Sequence, residues 1–95
     1  MQDIYVYILK CADGSYYTGH TDDIYTRLDQ HNNSKLLNSY VSKRLPVELV
    51  FVDSCPSRYD ALAMERKIKK WSRKKKEALI NGGWEAMQGI WKRKK

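Results

Sequence analysis

Four of the seven tyrosines fall within residues 5–17, in the clusters Tyr5-Val6-Tyr7 and Tyr16-Tyr17-Thr18-Gly19. Arg27 and His31 come next, four residues apart and so one helical turn from each other. Further on, Glu65 falls in an otherwise apolar helical row with Ala61, Leu62 and Ile68. Phenols, a guanidinium, an imidazole and a carboxylate are a set suited to phosphodiester chemistry. The guanidinium neutralises a phosphate, and the carboxylate can hold a divalent ion that polarises it. A phenol is a poor base at neutral pH, with an ordinary pKa of about 10, so it would act only beside a cation or a metal-bound water.

The elements that must position these groups are legible in the chain. Residues 4–10, IYVYILK, are β-branched and aromatic and predict a strand. Ala12-Asp13-Gly14-Ser15 supplies turn chemistry, and Tyr16–His20 resumes the strand pattern, which makes a hairpin. Thr21 or Asp22 can cap a helix over residues 22–31 with acidic residues in its first turn. Residues 32–46 read as a polar connection, and Val47–Val52 as a third strand, apolar enough to be buried on both faces. A long helix from Arg58 to Trp71 comes after it, then Ser72 capping a helix from Arg73 to about Ile80. Gly82-Gly83 breaks it before a short helix ending near Trp91. The order ββαβαα(α) predicts an α/β (α+β) layered fold in a single domain over residues 1–95.

Periodicity singles out residues that do not suit a plain core. Tyr5, Tyr7 and Leu9 share one face of the first strand, and Ile4, Val6 and Ile8 the other. The helical stripe through Ile24 and Leu28 also contains Arg27 and His31. On the long helix the inward stripe reads Ala61, Leu62, Glu65, Ile68. A charge in such a row must be neutralised, paired or bound to metal, since burying it alone costs several kcal/mol. If both helices pack on the tyrosine face, Arg27 and Glu65 are natural partners, either as a structural ion pair or as parts of a reactive site. His20, at the end of the hairpin, reads as a surface residue rather than a ligand. Trp71, Trp84 and Trp91 read as core anchors, with base stacking the lesser alternative.

Composition narrows the classes. The chain of 95 residues is 42% apolar, enough for one modest core. No run of about 18 apolar residues exists to span a bilayer, and no signal-peptide pattern opens the chain, which points to a cytoplasmic setting. Cys11 and Cys55 have neither each other's proximity nor metal-ligand spacing, so a structural zinc site is not expected. The net charge of +7 is uneven: residues 1–65 sum to −3 and residues 66–95 to +10. Arg66, Lys67, Lys69, Lys70, Arg73, Lys74, Lys75 and Lys76 fall within eleven residues. Either they grip a polyanion or they form a solvated helix surface; a membrane is less suited, since no wide apolar face accompanies them.

The same positions resemble the GIY-YIG nuclease superfamily. Tyr5-Val6-Tyr7 stands where the family has Gly-Ile-Tyr, Tyr17-Thr18-Gly19 where it has Tyr-Ile-Gly, Arg27 and His31 match its Arg-x-x-x-His helix, and Glu65 its metal-binding glutamate. The phrases YVYILKCADGSYYTG, RLPVELVF and ERKIKKWSRKKKEALING are similar to small stand-alone bacterial members, over roughly residues 4–82, with residues 83–95 a basic extension. The resemblance implies a three-stranded antiparallel sheet flanked by helices and one divalent ion, Mg2+ or Mn2+, on Glu65. It implies that Tyr7 and Tyr17 line the site, with Tyr7 helping to activate water, and that Arg27 steadies the phosphate. His31 would assist proton transfer or hold a tyrosine, and Tyr5 and Tyr40 would lie nearby. Tyr5 and Thr18 depart from the family tripeptides, and the family asparagine has only Asn81 as a candidate. The activity this implies is that of a metal-dependent endonuclease acting on DNA without sequence specificity of its own, its basic helices holding backbone phosphates. The alternatives are a non-catalytic nucleic-acid-binding module that retains the fold, and a subunit that needs a protein partner for specificity.

Overall fold

The structure, a computed structural model, describes residues 3–32 and 43–92, with side chains over 3–30 and 43–84. Strands β1 (Ile4–Lys10), β2 (Tyr16–Thr21) and β3 (Glu48–Cys55) form one antiparallel sheet in the order β2-β1-β3. Its helices are α1 (Ile24–Asn32), α2 (Arg58–Lys69) and α3 (Arg73–Lys92), the last broken at Gly83, whose φ of 66° no helix contains. The three-stranded α+β architecture is the one the sequence implies.

The hairpin between β1 and β2 closes through local polar chemistry. Gly14 takes a φ of 87°, which glycine adopts without steric cost, and donates its N–H to the Cys11 carbonyl. Asp13 accepts from both the backbone N–H and the hydroxyl of Ser15 and pairs with Arg44 Nε at 2.9 Å. The resulting register sets Tyr7 opposite Gly19, Val6 opposite His20 and Ile8 opposite Thr18.

Each sheet face is filled by its own alternate residues. Ile4, Val6 and Ile8 of β1 pack with Cys55, with Ala61 and Ile68 of α2, and with Leu79 of α3. Trp71 and Trp84 close this core at its border, ring centroids 6.2 Å apart and edge-on, and Trp84 Nε1 donates to Asp53 at 2.6 Å. The opposite face carries Tyr7, Leu9, Cys11 and Val47, covered by Tyr17 and by Ile24 and Leu28 of α1. Both cysteines are buried and unbonded to each other, and burial raises both thiols above their ordinary pKa.

Two expectations are corrected. The third strand starts at Glu48 and continues past its expected end at Val52, to Cys55. It is an edge strand rather than doubly buried: Val52 is 44% exposed. The cap of α1 is Asp23, not Thr21 or Asp22, and no acidic residue lies in its first turn. Asp23 Oδ1 accepts from the N–H of Thr26 at 3.1 Å, while Thr21 Oγ1 accepts from the N–H of Asp23 at 3.1 Å. The Thr26 hydrogen bonds hold the Asp23 carboxyl below the usual carboxylate range. Helix α2 starts on Ser57, whose hydroxyl accepts from the Asp60 N–H at 3.1 Å and donates to the Asp60 carboxylate. Ser72 caps α3 in the same way, accepting from the Lys75 N–H at 3.2 Å. No helix among the described residues is long and apolar enough to cross a membrane.

Candidate active site

The site is built outward from Gly19. Its cross-strand partner Tyr7 extends over β2, so a Cβ placed at Gly19 would lie 2.7 Å from the Tyr7 hydroxyl and 2.9 Å from Cζ. It would also lie 3.2 Å from a ring carbon of Tyr17. The two rings stand at 6.5 Å between centroids, tilted by 44°. Only a residue without a side chain leaves room for both phenols, which gives the third position of Tyr17-Thr18-Gly19 a steric meaning. Tyr7 is 1% exposed, and Tyr5 is half-buried on the same side of β1.

Burial, the largest influence, pushes the Tyr7 phenol well above its ordinary pKa. Negative charge on Tyr17 and Glu65 acts in the same direction, and Arg27 acts against them. Tyr7 is therefore protonated at neutral pH, and the ionised groups of α1 and α2 both lie within electrostatic reach of it. Arg27 is half-buried, and its guanidinium makes no ion pair among the described residues.

Glu65 is 8% exposed, and the partner expected for it is corrected. Its Oε1 accepts from His20 Nδ1, and its Oε2 lies 2.6 Å from Lys69 Nζ; Arg27 is not in contact with it. The register explains why. Val6 and His20 face each other on the side of the sheet covered by α2, whereas Tyr7, Tyr17 and α1 occupy the other side. The two helices thus flank the sheet rather than share the tyrosine face, and they meet the site at the edge strand β2. Burial raises the Glu65 carboxyl, but the hydrogen bonds from His20 and Lys69 outweigh it and hold the pKa below the usual range. His20, expected at the surface, is the residue that sequence reasoning missed. Its signal was the alternation Tyr16, Thr18, His20, which puts it on the buried side of β2.

The remaining expected residues divide. His31 lies in α1, its side chain outside the described residues, and Tyr40 lies outside them altogether. Asn81 is exposed on α3. Of the eight cations between 66 and 76, some have local engagements. Lys69 pairs with Glu65, Arg73 lies 4.7 Å over the Tyr16 ring and pairs with Glu77, and Lys75 lies 5.3 Å over Trp71. Lys76 is half-buried, and that burial lowers its pKa. Arg66, Lys70 and Lys74 are exposed without ion pairs among the described residues, and Lys67 is exposed beside them.

As a metal centre the arrangement is spare: no group of three or more His, Cys, Asp or Glu gathers among the described residues. A single buried carboxylate nevertheless fits an ion such as Mg2+, which keeps waters and takes substrate oxygens in place of a protein cage. Glu65 would hold it, and Lys69 would have to release Oε2.

Comparison with known proteins matches the GIY-YIG catalytic domain to residues 3–78. A UPF0213 protein of Bacillus pumilus is 43% identical over 76 residues, covering 80% of this chain and 76% of its own. The UPF0213 protein YazA of Bacillus subtilis is 41% identical over 76 residues, with the same coverage of each chain. The solution NMR structure of a UPF0213 protein from Bacillus halodurans is 40% identical and superposes with a TM-score of 0.55, covering 90% of this chain and 93% of that one. With its motif glycine beneath two tyrosines, its helices on either side of a three-stranded sheet and these relatives, the chain belongs to the GIY-YIG family.

Proposed function

We propose that this protein is a divalent-metal-dependent endonuclease that hydrolyses phosphodiester bonds in DNA without sequence specificity of its own. The observation that carries the reading is the buried Tyr7 phenol, seated on Gly19, with the Arg27 guanidinium and the Glu65 carboxylate both acting on it. A divalent ion on Glu65, when bound, supplies positive charge to polarise a phosphoryl oxygen and to stabilise the leaving oxyanion. The protein's own groups do the rest. Arg27 neutralises the phosphate, and having no ion pair among the described residues leaves its donors for substrate oxygens. Tyr7, kept protonated by burial, orients the attacking water by a hydrogen bond, with Tyr17 beside it and Tyr5 further along the strand. His20 fixes the Glu65 carboxylate from the side away from Lys69. His31 and Tyr40 keep the proton-transfer and site-lining parts that the family pattern implies. Exposed Arg66, Lys67, Lys70 and Lys74 contact backbone phosphates, which fixes position without reading sequence.

The test is nicking of supercoiled plasmid with Mg2+ or Mn2+. Arg27→Ala is expected to lower the rate by about a hundredfold or more, as removal of one charge-stabilising donor does elsewhere. Glu65→Gln, which keeps the shape, is expected to abolish metal-dependent cleavage; nicking at the wild-type rate by that variant refutes the mechanism. One observation favours a second reading, a non-catalytic nucleic-acid-binding module: both Glu65 oxygens are already engaged by His20 and Lys69, as in a structural ion network. That reading expects DNA binding in EDTA that neither substitution alters, and no cleavage under any metal.

A further inference from the structure

Glu65 is served twice over. Lys69 Nζ lies 2.6 Å from Oε2, and that ammonium alone offsets the carboxylate charge. His20 Nδ1 meets Oε1 as well. A structural ion pair is complete with the first contact. What the second adds is an imidazole nitrogen, the donor type that a lone carboxylate site lacks. His20 and Glu65 come from different elements, β2 and α2, so the packing of helix on sheet holds them together. Their side chains are 24% and 11% exposed, so the contact is shielded from water without being sealed off. Because β2 is an edge strand, the pair sits at the margin of the sheet rather than in its middle.

A carboxylate oxygen and an imidazole nitrogen together select differently from oxygen alone. Mg2+ favours carboxylate and water and gains little from an imidazole, whereas Mn2+, Co2+ and Zn2+ accept both donor types. Two ligands of one small ion stand about 3 Å apart, each about 2 Å from it, so donors already in hydrogen-bond contact need shift little to share one. In the present pairing the hydrogen lies on Nδ1, as contact with an ionised carboxylate requires. Ligation takes the other neutral tautomer, with the hydrogen on Nε2, and frees the Nδ1 lone pair. No third His, Cys, Asp or Glu gathers there among the described residues, so the other coordination positions go to water and phosphate oxygens.

We propose that His20 is a metal ligand beside Glu65, and that this nitrogen–oxygen pair makes the site one for a divalent transition metal such as Mn2+ in preference to Mg2+. The inference rests on the reading of Glu65 as the metal-holding carboxylate and names the class of ion which that reading leaves open.

The experiment uses the protein without DNA and without a histidine tag. Electron spin echo envelope modulation of bound Mn2+ detects a directly bound imidazole through its nitrogen hyperfine coupling. The chain has two histidines, His20 and His31. The coupling is expected in the wild type and in His31→Gln, and is expected to vanish in His20→Gln. A coupling that survives in His31→Gln identifies the ligand even where the His20 variant folds poorly. Affinity gives a second readout. The amide of His20→Gln can still donate a hydrogen bond to Glu65, so this variant keeps the carboxylate positioned and removes only the imidazole. It is expected to weaken Mn2+ binding by about tenfold or more, with Mg2+ binding changed less than about threefold. No nitrogen coupling in the wild type, a coupling that persists in His20→Gln, or equal losses for the two ions overturns the proposal; equal losses are what a residue that only positions Glu65 would give. Plasmid nicking keeps the two layers apart. Cutting without any nitrogen coupling leaves the nuclease standing and removes His20 from the metal, whereas a coupling without cutting keeps the ligand and sinks the nuclease.

Discussion

Two phenols can occupy one position of the sheet because residue 19 contributes no side chain. Gly19→Ala would force a methyl into the Tyr7 hydroxyl and the Tyr17 ring, and a buried tyrosine between a strand and a helix has little room to yield. The expected cost is about 1–3 kcal/mol of stability, the scale of overpacking, read as a fall in thermal midpoint of roughly 5–15 °C. Cleavage should fall further than stability does, since Tyr7 and Tyr17 part at the site itself. Tyr7 also sets an alkaline limit. Its phenol pKa is raised in the folded state, so the fold holds a proton that the unfolded chain releases near pH 10. That contribution is complete below pH 10 and drains away as pH rises above it. Urea unfolding between pH 8 and 11 should therefore show a steeper loss for the wild type than for Tyr7→Phe, which has no proton to lose. Parallel curves for the two would mean that the phenol is not held up by burial. Thr18, one residue before Gly19, has a buried hydroxyl without a hydrogen-bond partner among the described residues, a cost that Val would not incur.

At the scale of elements, helix α2 brings the carboxylate proposed to hold the metal and the lysine paired with it onto one turn. Glu65 and Lys69 are four residues apart and paired at 2.6 Å, so the ammonium occupies the oxygen that an ion would need. Lys69→Gln is expected to raise Mn2+ affinity by roughly threefold while costing the helix only a few tenths of a kcal/mol, as measured by Mn2+ electron paramagnetic resonance on the protein without DNA. An unchanged affinity would place the ion elsewhere than Glu65. This pairing also marks where the sequence stopped being legible. Periodicity placed Ala61, Leu62, Glu65 and Ile68 on the inward row of α2; Ala61, Glu65 and Ile68 are buried, and Leu62 is half-buried. It could not say which side of the sheet that row meets, because a helix stripe carries no information about sheet sidedness. Assigning α2 to the tyrosine side made Arg27 the partner of Glu65; on the opposite side His20 takes that part. The third strand misled for a related reason. Val47–Val52 is largely apolar, but an edge strand can bear an apolar run with one side open, as Val52 does. The hairpin, the Ser72 cap and the break near Gly83 were legible because each is decided by neighbours in sequence. The tyrosine–glycine contact was legible only as a motif, since its cause lies across two strands.

At the scale of the molecule, charge divides the chain into an acidic part that builds the sheet and a basic part that leaves it. The net +10 of residues 66–95 is not one uniform surface, because the described cations fall into two kinds. Arg73 and Lys75 lie over Tyr16 and Trp71, and Lys76 is half-buried, so these three serve the junction between α3 and the core. Lys70 and Lys74 are exposed and without ion pairs among the described residues, which is what contact with a polyanion requires. The two kinds should separate in a salt titration. Each cation that neutralises a phosphate contributes about −0.7 to the slope of log affinity against log salt on single strands and about −0.9 on duplex. Replacing Lys70 and Lys74 together by Gln is expected to make the slope on a single strand shallower by about 1.4, with the unfolding midpoint unchanged. Lys75→Gln is expected to do the opposite, lowering the midpoint by removing the cation over Trp71 while leaving the slope close to that of the wild type. If the double Gln variant keeps the full slope, the exposed lysines do not meet phosphates, and the polyanion must be held by Arg27 and the remaining basic residues.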